Sequence, residues 1–253
     1  MVDNASTDGS PAMVKKKFKP VKLIENKENL GFTKGNNQGM KKAKGDYLLV
    51  LNSDTLIKDK SPVKMARFLE DNPKVGVVGC KLLNPDGTNQ PSYGPFPNLG
   101  IVMIMLFAEH WLGGHLVRRS GEKTVATDWV MGAALMIKKE IIKKAGMFDE
   151  KIFMYMEENE WCYRIKKAGY QVVFYPEARI THLGRASSTT GRKDPILNIY
   201  KGLIYFYQKH YPGWQLPILR LMLKLKAGGA LLLGYLIKKP YLKETYGEAF
   251  KIA

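Results

Sequence analysis

Gly45-Asp46-Tyr47-Leu48-Leu49-Val50-Leu51-Asn52-Ser53-Asp54 is the stretch on which the fold turns. Residues 46–51 make a nearly continuous apolar run, the pattern of a strand buried on both faces of a parallel sheet. The run ends in the polar residues Asn52-Ser53-Asp54-Thr55. Open α/β sheets bind ligands beyond the carboxyl ends of their strands, so this polar edge is where chemistry is expected. Asp54 admits two readings. It can close an Asx-turn, or it can hold a hard divalent cation together with substrate phosphate oxygens.

Outward from this strand, elements alternate. On the N-terminal side, 35–43 reads as a helix closed by Gly45, Asn29-Leu30-Gly31-Phe32 as a turn and 21–24 as a short strand. Val2-Asp3-Asn4-Ala5-Ser6-Thr7-Asp8-Gly9-Ser10 is dense in turn and cap residues, with a short helix from Pro11. On the C-terminal side, Ser61-Pro62 opens a helix with Ser61 as N-cap, and 75–79 is a second buried strand. This alternation argues for an α/β layered fold. After the turn Asn84-Pro85-Asp86-Gly87, 93–116 reads as a mixed loop whose apolar run 101–108 is too short to span a bilayer. Residues 127–137 form a strand interrupted at Gly132, where a backbone can approach a ligand closely. A helix over 139–145 ends at Gly146, and a strand over 170–175 breaks at Pro176. His182 follows at a strand end, a position open to a structural or a functional role.

Phe153-Met154-Tyr155-Met156-Glu157-Glu158-Asn159-Glu160-Trp161-Cys162-Tyr163-Arg164 places three carboxylates at the mouth of a helix that stops at Gly169. At about 100° per residue, Glu158 shares a face with Trp161, Cys162 and Ile165. Glu157 lies to one side. Glu160 points away, four residues before Arg164, at the spacing of a surface ion pair. An inward carboxylate is costly unless paired, hydrated or used; a helix N-terminus that favours acids is the plainer reading.

The chain has 253 residues and a formal charge of +17. Two cysteines, Cys80 and Cys162, sit in apolar stretches, suiting a reducing compartment without disulfides. Met1-Val2-Asp3-Asn4 carries no signal-peptide pattern. From 183 to 253 there are 12 Lys/Arg against 3 Asp/Glu. This basic region suits nucleic acid or an anionic membrane. No helix-turn-helix, zinc-finger or RNA-recognition pattern accompanies it, so nucleic acid is not the expected partner. Past Ile196 the chain reads as helical, with Ile196, Ile199, Tyr200, Leu203 and Tyr207 on one stripe. A second apolar segment, 216–237, carries Arg220, Lys224 and Lys226; it fits an interfacial helix or a core-packing helix pair.

Together these blocks resemble the inverting family 2 glycosyltransferases, particularly their bacterial rhamnosyltransferase-like branch. The resemblance rests on Val2 to Ser10, on Asn29-Leu30-Gly31-Phe32 with Gly35-Asn36-Asn37-Gln38-Gly39, and on Gly45 to Asp54. It continues through Trp129-Val130-Met131-Gly132-Ala133, Phe148-Asp149-Glu150, Phe153-Met154-Tyr155, Glu157-Glu158 and His182-Leu183-Gly184. It covers roughly residues 2–190. It implies a GT-A fold, a mixed α/β sheet with helices on both faces, over 1–190, followed by a basic amphipathic helical tail over 191–253. It implies inverting transfer of a sugar from a nucleoside-diphosphate sugar to a hydroxyl of a glycan or lipid-linked acceptor, at the cytoplasmic face of the membrane. Asp3 would contact the nucleotide base, with Asn37, Asn52 and Gly132 as further substrate contacts. Asp54, assisted by His182, would hold Mg²⁺ or Mn²⁺. Glu158, or its neighbour Glu157, would be the catalytic base. Asn52 replaces the first acid of the family's metal motif, and Glu157-Glu158 stands where Glu-Asp is usual. The family also places a strand, a helix and most of a second strand before the Val2-Asp3-Asn4 block, so this segment is expected to be missing, with two strand edges exposed. A misplaced start or a gene fragment would explain it, and an inactive binding remnant is the rival function.

Overall fold

The computed structural model describes residues 1–109, 111, 112, 114–184 and 193–253. The first block folds as β1 (Val2–Asp3), α1 (Ser10–Lys17), β2 (Ile24–Glu25) and α2 (Gly31–Lys42). Then come β3 (Tyr47–Leu51), β4 (Thr55–Leu56), α3 (Ser61–Asp71), β5 (Val75–Leu83), β6 (Asn89–Gln90) and β7 (Tyr93–Gly94). The apolar run expected in a loop is α4 (Leu99–Met103), continued by a π-helical turn over Ile104–Ala108. β8 (Val125–Thr127), β9 (Trp129–Val130), β10 (Ala134–Lys138), α5 (Lys139–Ala145), α6 (Glu157–Lys167) and β11 (Gln171–His182) complete the sheet region. Three helices follow: α7 (Lys193–His210), α8 (Gln215–Leu236) and α9 (Pro240–Ile252).

The main sheet has the order β3-β10-β5-β11-β4, with β6 added to β5 and β8 to β11. β5 and β11 are parallel, while β10 runs antiparallel to both β3 and β5. β1 and β2 form a separate parallel pair, and β7 pairs with β9. Burial of β3 corrects the sequence reading. Leu48 and Val50 are buried, but Tyr47 and Leu49 are only half-buried and Leu51 is exposed. The reason is position: β3 ends the sheet order, and the doubly buried strands are β5 and β10. β11 does not stop at Pro176. It runs through it and absorbs the missing donor by shifting its register on β5 between Tyr175 and Arg179.

Helices cover both faces. Met65 and Leu69 of α3 pack with Val78, Cys80, Met136 and Ile180. On the other face Trp161, Cys162 and Ile165 of α6 and Ile141 of α5 pack with Val77, Leu135, Ile137 and Phe174. Trp161 is fully buried and its indole N–H donates to the Gly146 carbonyl at 2.7 Å. Truncation of such a residue typically costs about 3–5 kcal/mol. Ser61 is not the N-cap of α3. Its hydroxyl accepts from the Arg179 N–H at 2.7 Å and ties α3 to β11, while Asp59 Oδ1 accepts the Ser61 N–H.

A second core joins Val102 and Leu106 to Tyr200, Leu203 and Tyr207 of α7, Leu219 and Leu223 of α8, and Ala249 of α9. The boundary placed after residue 190 lies outside the described residues. Beyond it, Phe206 of α7 meets Tyr163 of α6 edge to face, and the His210 ring lies tilted against the same tyrosine. Among the described residues no helix is long and apolar enough to cross a membrane.

Candidate active site

Asp54 and His182 meet at one end of the sheet because β4 pairs antiparallel with β11, placing His182 opposite Thr55. The Leu183 N–H donates to the Asp54 carbonyl at 2.8 Å and closes the contact. Gln90 fixes the imidazole. Its amide nitrogen donates to Asn84 Oδ1 (3.0 Å) and to the His182 carbonyl (3.2 Å), so its oxygen faces His182 Nδ1 at 2.7 Å. In the neutral ring Nδ1 therefore carries the hydrogen, and Nε2 turns a lone pair toward Asp54 Oδ1, 3.3 Å away. Two acceptors facing each other are relieved by a proton or a metal ion between them. The pair fits a divalent cation with one oxygen and one nitrogen donor, the other positions falling to diphosphate oxygens and water. Among the described residues no group of three or more His, Cys, Asp or Glu side chains is arranged to hold a metal ion by itself.

The N-terminal motif residues form a hydrogen-bonded frame. Asp3 is buried at the end of β1, one carboxylate oxygen accepting the Ser6 N–H at 3.1 Å. Asn4 donates to the Gly31 carbonyl and accepts from Asn26, which also bonds Gln38. Gly31 has φ 83°, and a Cβ there would lie 2.6 Å from the Phe153 carbonyl oxygen. Glycine is required for this close approach, and the Phe32 N–H donates to that same oxygen at 2.8 Å. Asn37 corrects the expectation of a substrate contact. It is 2% exposed, and its amide donates to the Phe148 carbonyl and Glu150 and accepts the Phe148 N–H. Asn37 faces protein and positions the segment leading to α6.

That segment delivers the carboxylates. Glu157 and Glu158 are 5% and 9% exposed, and each has one oxygen buried without a hydrogen-bond partner. Burial pushes the Glu158 carboxyl up to about 7, opposed by its own backbone N–H and that of Gly132. Burial and then the charge of Glu158 hold Glu157 well above its ordinary value. Gly132 sits beside them: a Cβ on it would meet Phe32 and Glu158 at 3.7 and 3.8 Å, ordinary contact distances. Protein atoms alone therefore leave room for a side chain at this position. The Asn52 N–H donates to the Ala133 carbonyl at 2.9 Å. So the end of β3, the β9–β10 connection and the first turn of α6 converge, and Asp54 follows two residues after Asn52.

Two expectations about α6 are corrected. Glu157 is buried instead of lying aside, and Glu160 is fully buried instead of exposed. Glu160 does pair with Arg164 (2.7 Å), but also with Lys209 (2.7 Å) and His210 (3.1 Å) of α7. Burial alone would raise its carboxyl; hydrogen bonds from His210 and Arg164 carry it down to about 2. Sequence reasoning missed Gln90, which no motif marks, and the Lys209-His210 pair, which the apolar stripe of α7 does not single out.

Residues 1–145, more than half of the chain, match the family described as Glycosyl transferase family 2. The chain belongs to this family. The glycosyltransferase is 25% identical, over 272 aligned residues, to N-acetylglucosaminyl-diphospho-decaprenol L-rhamnosyltransferase of Mycobacterium tuberculosis, covering 100% of this chain and 87% of that protein. It is 32% identical over 159 residues to O-antigen biosynthesis protein RfbC of Myxococcus xanthus, covering 60% of this chain and 12% of the other. Mannosyltransferase PcManGT from Pyrobaculum calidifontis, in complex with GDP-Man and Mn²⁺, is similar with a TM-score of 0.54 and 19% identity over 98% of this chain and 74% of that one. GalNAc-T7 with UDP, GalNAc and Mn²⁺ is similar with a TM-score of 0.57 and 18% identity over 81% of this chain and 43% of that one. At these identities the structural likeness establishes the GT-A fold alone.

Proposed function

We propose that this glycosyltransferase moves a sugar from a nucleoside-diphosphate sugar to a hydroxyl on a glycan or lipid-linked acceptor, with inversion at the anomeric carbon. The observation that carries the proposal is the convergence of a buried carboxyl near neutral pKa, Glu158, with the sheet end that presents Asp54 and His182. Glu158 takes the acceptor proton as the acceptor oxygen bonds to the anomeric carbon and the bond from that carbon to the diphosphate oxygen breaks. Attack opposite the departing group inverts the centre. Asp54 and His182 would hold Mg²⁺ or Mn²⁺, which when bound would supply charge neutralisation on the nucleoside diphosphate. Asp3 serves the base, and Asn52 and Gly132 are further substrate contacts. Burial, and then the charge of Glu158, raise the Glu157 carboxyl, so ionising both neighbours together is disfavoured.

An anionic membrane is the partner assigned to the helical tail, at the cytoplasmic face where a lipid-linked acceptor would be reached. Leu221, Leu225, Leu232 and Leu236 of α8 are exposed at helical spacing, with Arg220, Lys224, Lys226, Lys238 and Lys239 nearby in sequence. A chain of charge +17 repels its own copies, so the cations favour an anionic lipid surface over self-association.

The test is donor binding by calorimetry with Mn²⁺ across a panel of UDP-, GDP- and dTDP-sugars. One class should bind, lose binding with chelator and lose it again in Asp54→Ala. Donor binding indifferent to both treatments would overturn the assignment of the metal pair.

A further inference from the structure

Tyr155 and Met156, immediately before the two glutamates, have φ of 66° and 73°. Consecutive non-glycine residues in the left-handed region are strained and persist only where surroundings over-determine them. One restraint comes from α2: the Phe153 carbonyl is held against Gly31 and Phe32. The other comes from α7. A Cβ on Gly202 would lie 2.8 Å from Met156 Cβ and 3.0 Å from the Tyr155 carbonyl oxygen, so the α7 backbone lies directly on the strained turn. Two helical turns further on, Lys209 and His210 hold Glu160 at 2.7 and 3.1 Å. Lys209 also pairs with Asp149 Oδ2 at 2.5 Å, and the Tyr205 hydroxyl donates to that oxygen at 2.6 Å. Asp149 belongs to the segment that Asn37 anchors through Phe148 and Glu150. Helix α7 thus grips the chain before, at and after the turn that aims Glu157 and Glu158.

We propose that α7 is part of the catalytic apparatus, a clamp in which Gly202, Lys209 and His210 fix the position and burial of Glu158 without touching substrate. This rests on the reading of Glu158 as the base. A buried ion-pair network is weak support for stability, since well-packed apolar residues often serve as well; its distinctive property is fixed geometry. Here the geometry concerns the first turn of the helix that carries Glu158. Release of the clamp lets the turn relax and water reach Glu158, which is otherwise faced by Glu157, Cys162 and the Gly132 N–H. Lys209, Gly202 and His210 are positioning residues.

The experiment uses the full chain and the nucleotide sugar found to bind. Lys209→Met should lower kcat about tenfold or more, the scale of a small misplacement of a reacting group, with the donor KM changed less than about threefold. The acid limb of the kcat profile should move to lower pH, and Lys209→Arg should recover most of the loss. Lys193→Met, which removes the pair with Glu248 elsewhere on α7, should leave both unchanged. A substrate-free readout is labelling of the 157–158 peptide by dicyclohexylcarbodiimide, which attacks protonated buried carboxyls. At pH 7 it should fall severalfold in Lys209→Met. Unchanged labelling, an unmoved acid limb, or a kcat loss that only follows the unfolded fraction overturns the clamp. Glu158→Gln separates the two claims: retained turnover there removes the base itself, whereas a Glu158-dependent enzyme indifferent to Lys209→Met removes only the clamp.

Discussion

Adjacent glutamates on one helical turn differ here because their surroundings differ. Glu157 and Glu158 are buried without cations and are pushed up, while Glu160, equally buried, is surrounded by Arg164, Lys209 and His210 and carried down. A base must accept a proton and be regenerated near the working pH, the role given to Glu158 in the proposed function. Glu158→Gln should preserve fold and donor binding and reduce turnover by roughly 10²-fold or more. Glu157→Gln removes a carboxyl that burial and the Glu158 charge hold against ionisation, and should cost far less. Turnover should rise with pH through about 7 in the parent protein. Steady-state kinetics of both variants check this, and a reversed order of effects would hand the role to Glu157.

At the scale of elements, the site depends on joints between distant segments. Gly31 is one: it allows α2 to meet the Phe153 carbonyl. Gly31→Ala adds a Cβ at positive φ and within 2.6 Å of that oxygen, and should destabilise by more than about 1 kcal/mol in urea unfolding. Helix α6 also has a definite pH signature. The folded-state pKa of Glu158 is raised, from 4.5 to about 7, so its contribution is complete below the unfolded value and is lost as pH rises through about 7. Glu160 is opposite: its contribution is present above the unfolded value and is lost as pH falls through about 2. The melting temperature should therefore decline between pH 5 and pH 8, and Glu158→Gln should flatten the decline. A slope identical in the variant would mean Glu158 titrates normally.

For the whole molecule, α8 exposes a row of leucines beside basic residues. Flotation with liposomes should therefore require anionic lipid, weaken with salt, and drop severalfold when Leu221, Leu225 and Leu232 are all changed to Ser. Flotation indifferent to lipid charge, salt and these changes would assign α8 to another role.

Much of this protein is local in origin, and local origin is what a sequence displays. The apolar run ending at Asn52-Ser53-Asp54, the turn chemistry around Gly31 and the helix stopping at Gly169 follow from short-range sterics and periodicity. The α/β layering and the inward face of Glu158 follow from them. Three things needed the assembled chain. A helical wheel treats one face as solvent, but α7 folds over that face, so Glu160 became a buried anchor. Asn37 reads as a polar motif residue, yet its amide is consumed by Phe148 and Glu150 from 111 and 113 positions away. The facing of His182 and Asp54 depends on strand pairing and on Gln90, 92 residues from the imidazole it orients. Contacts at such separations are set by how the layers close on one another, and no period in the sequence encodes them.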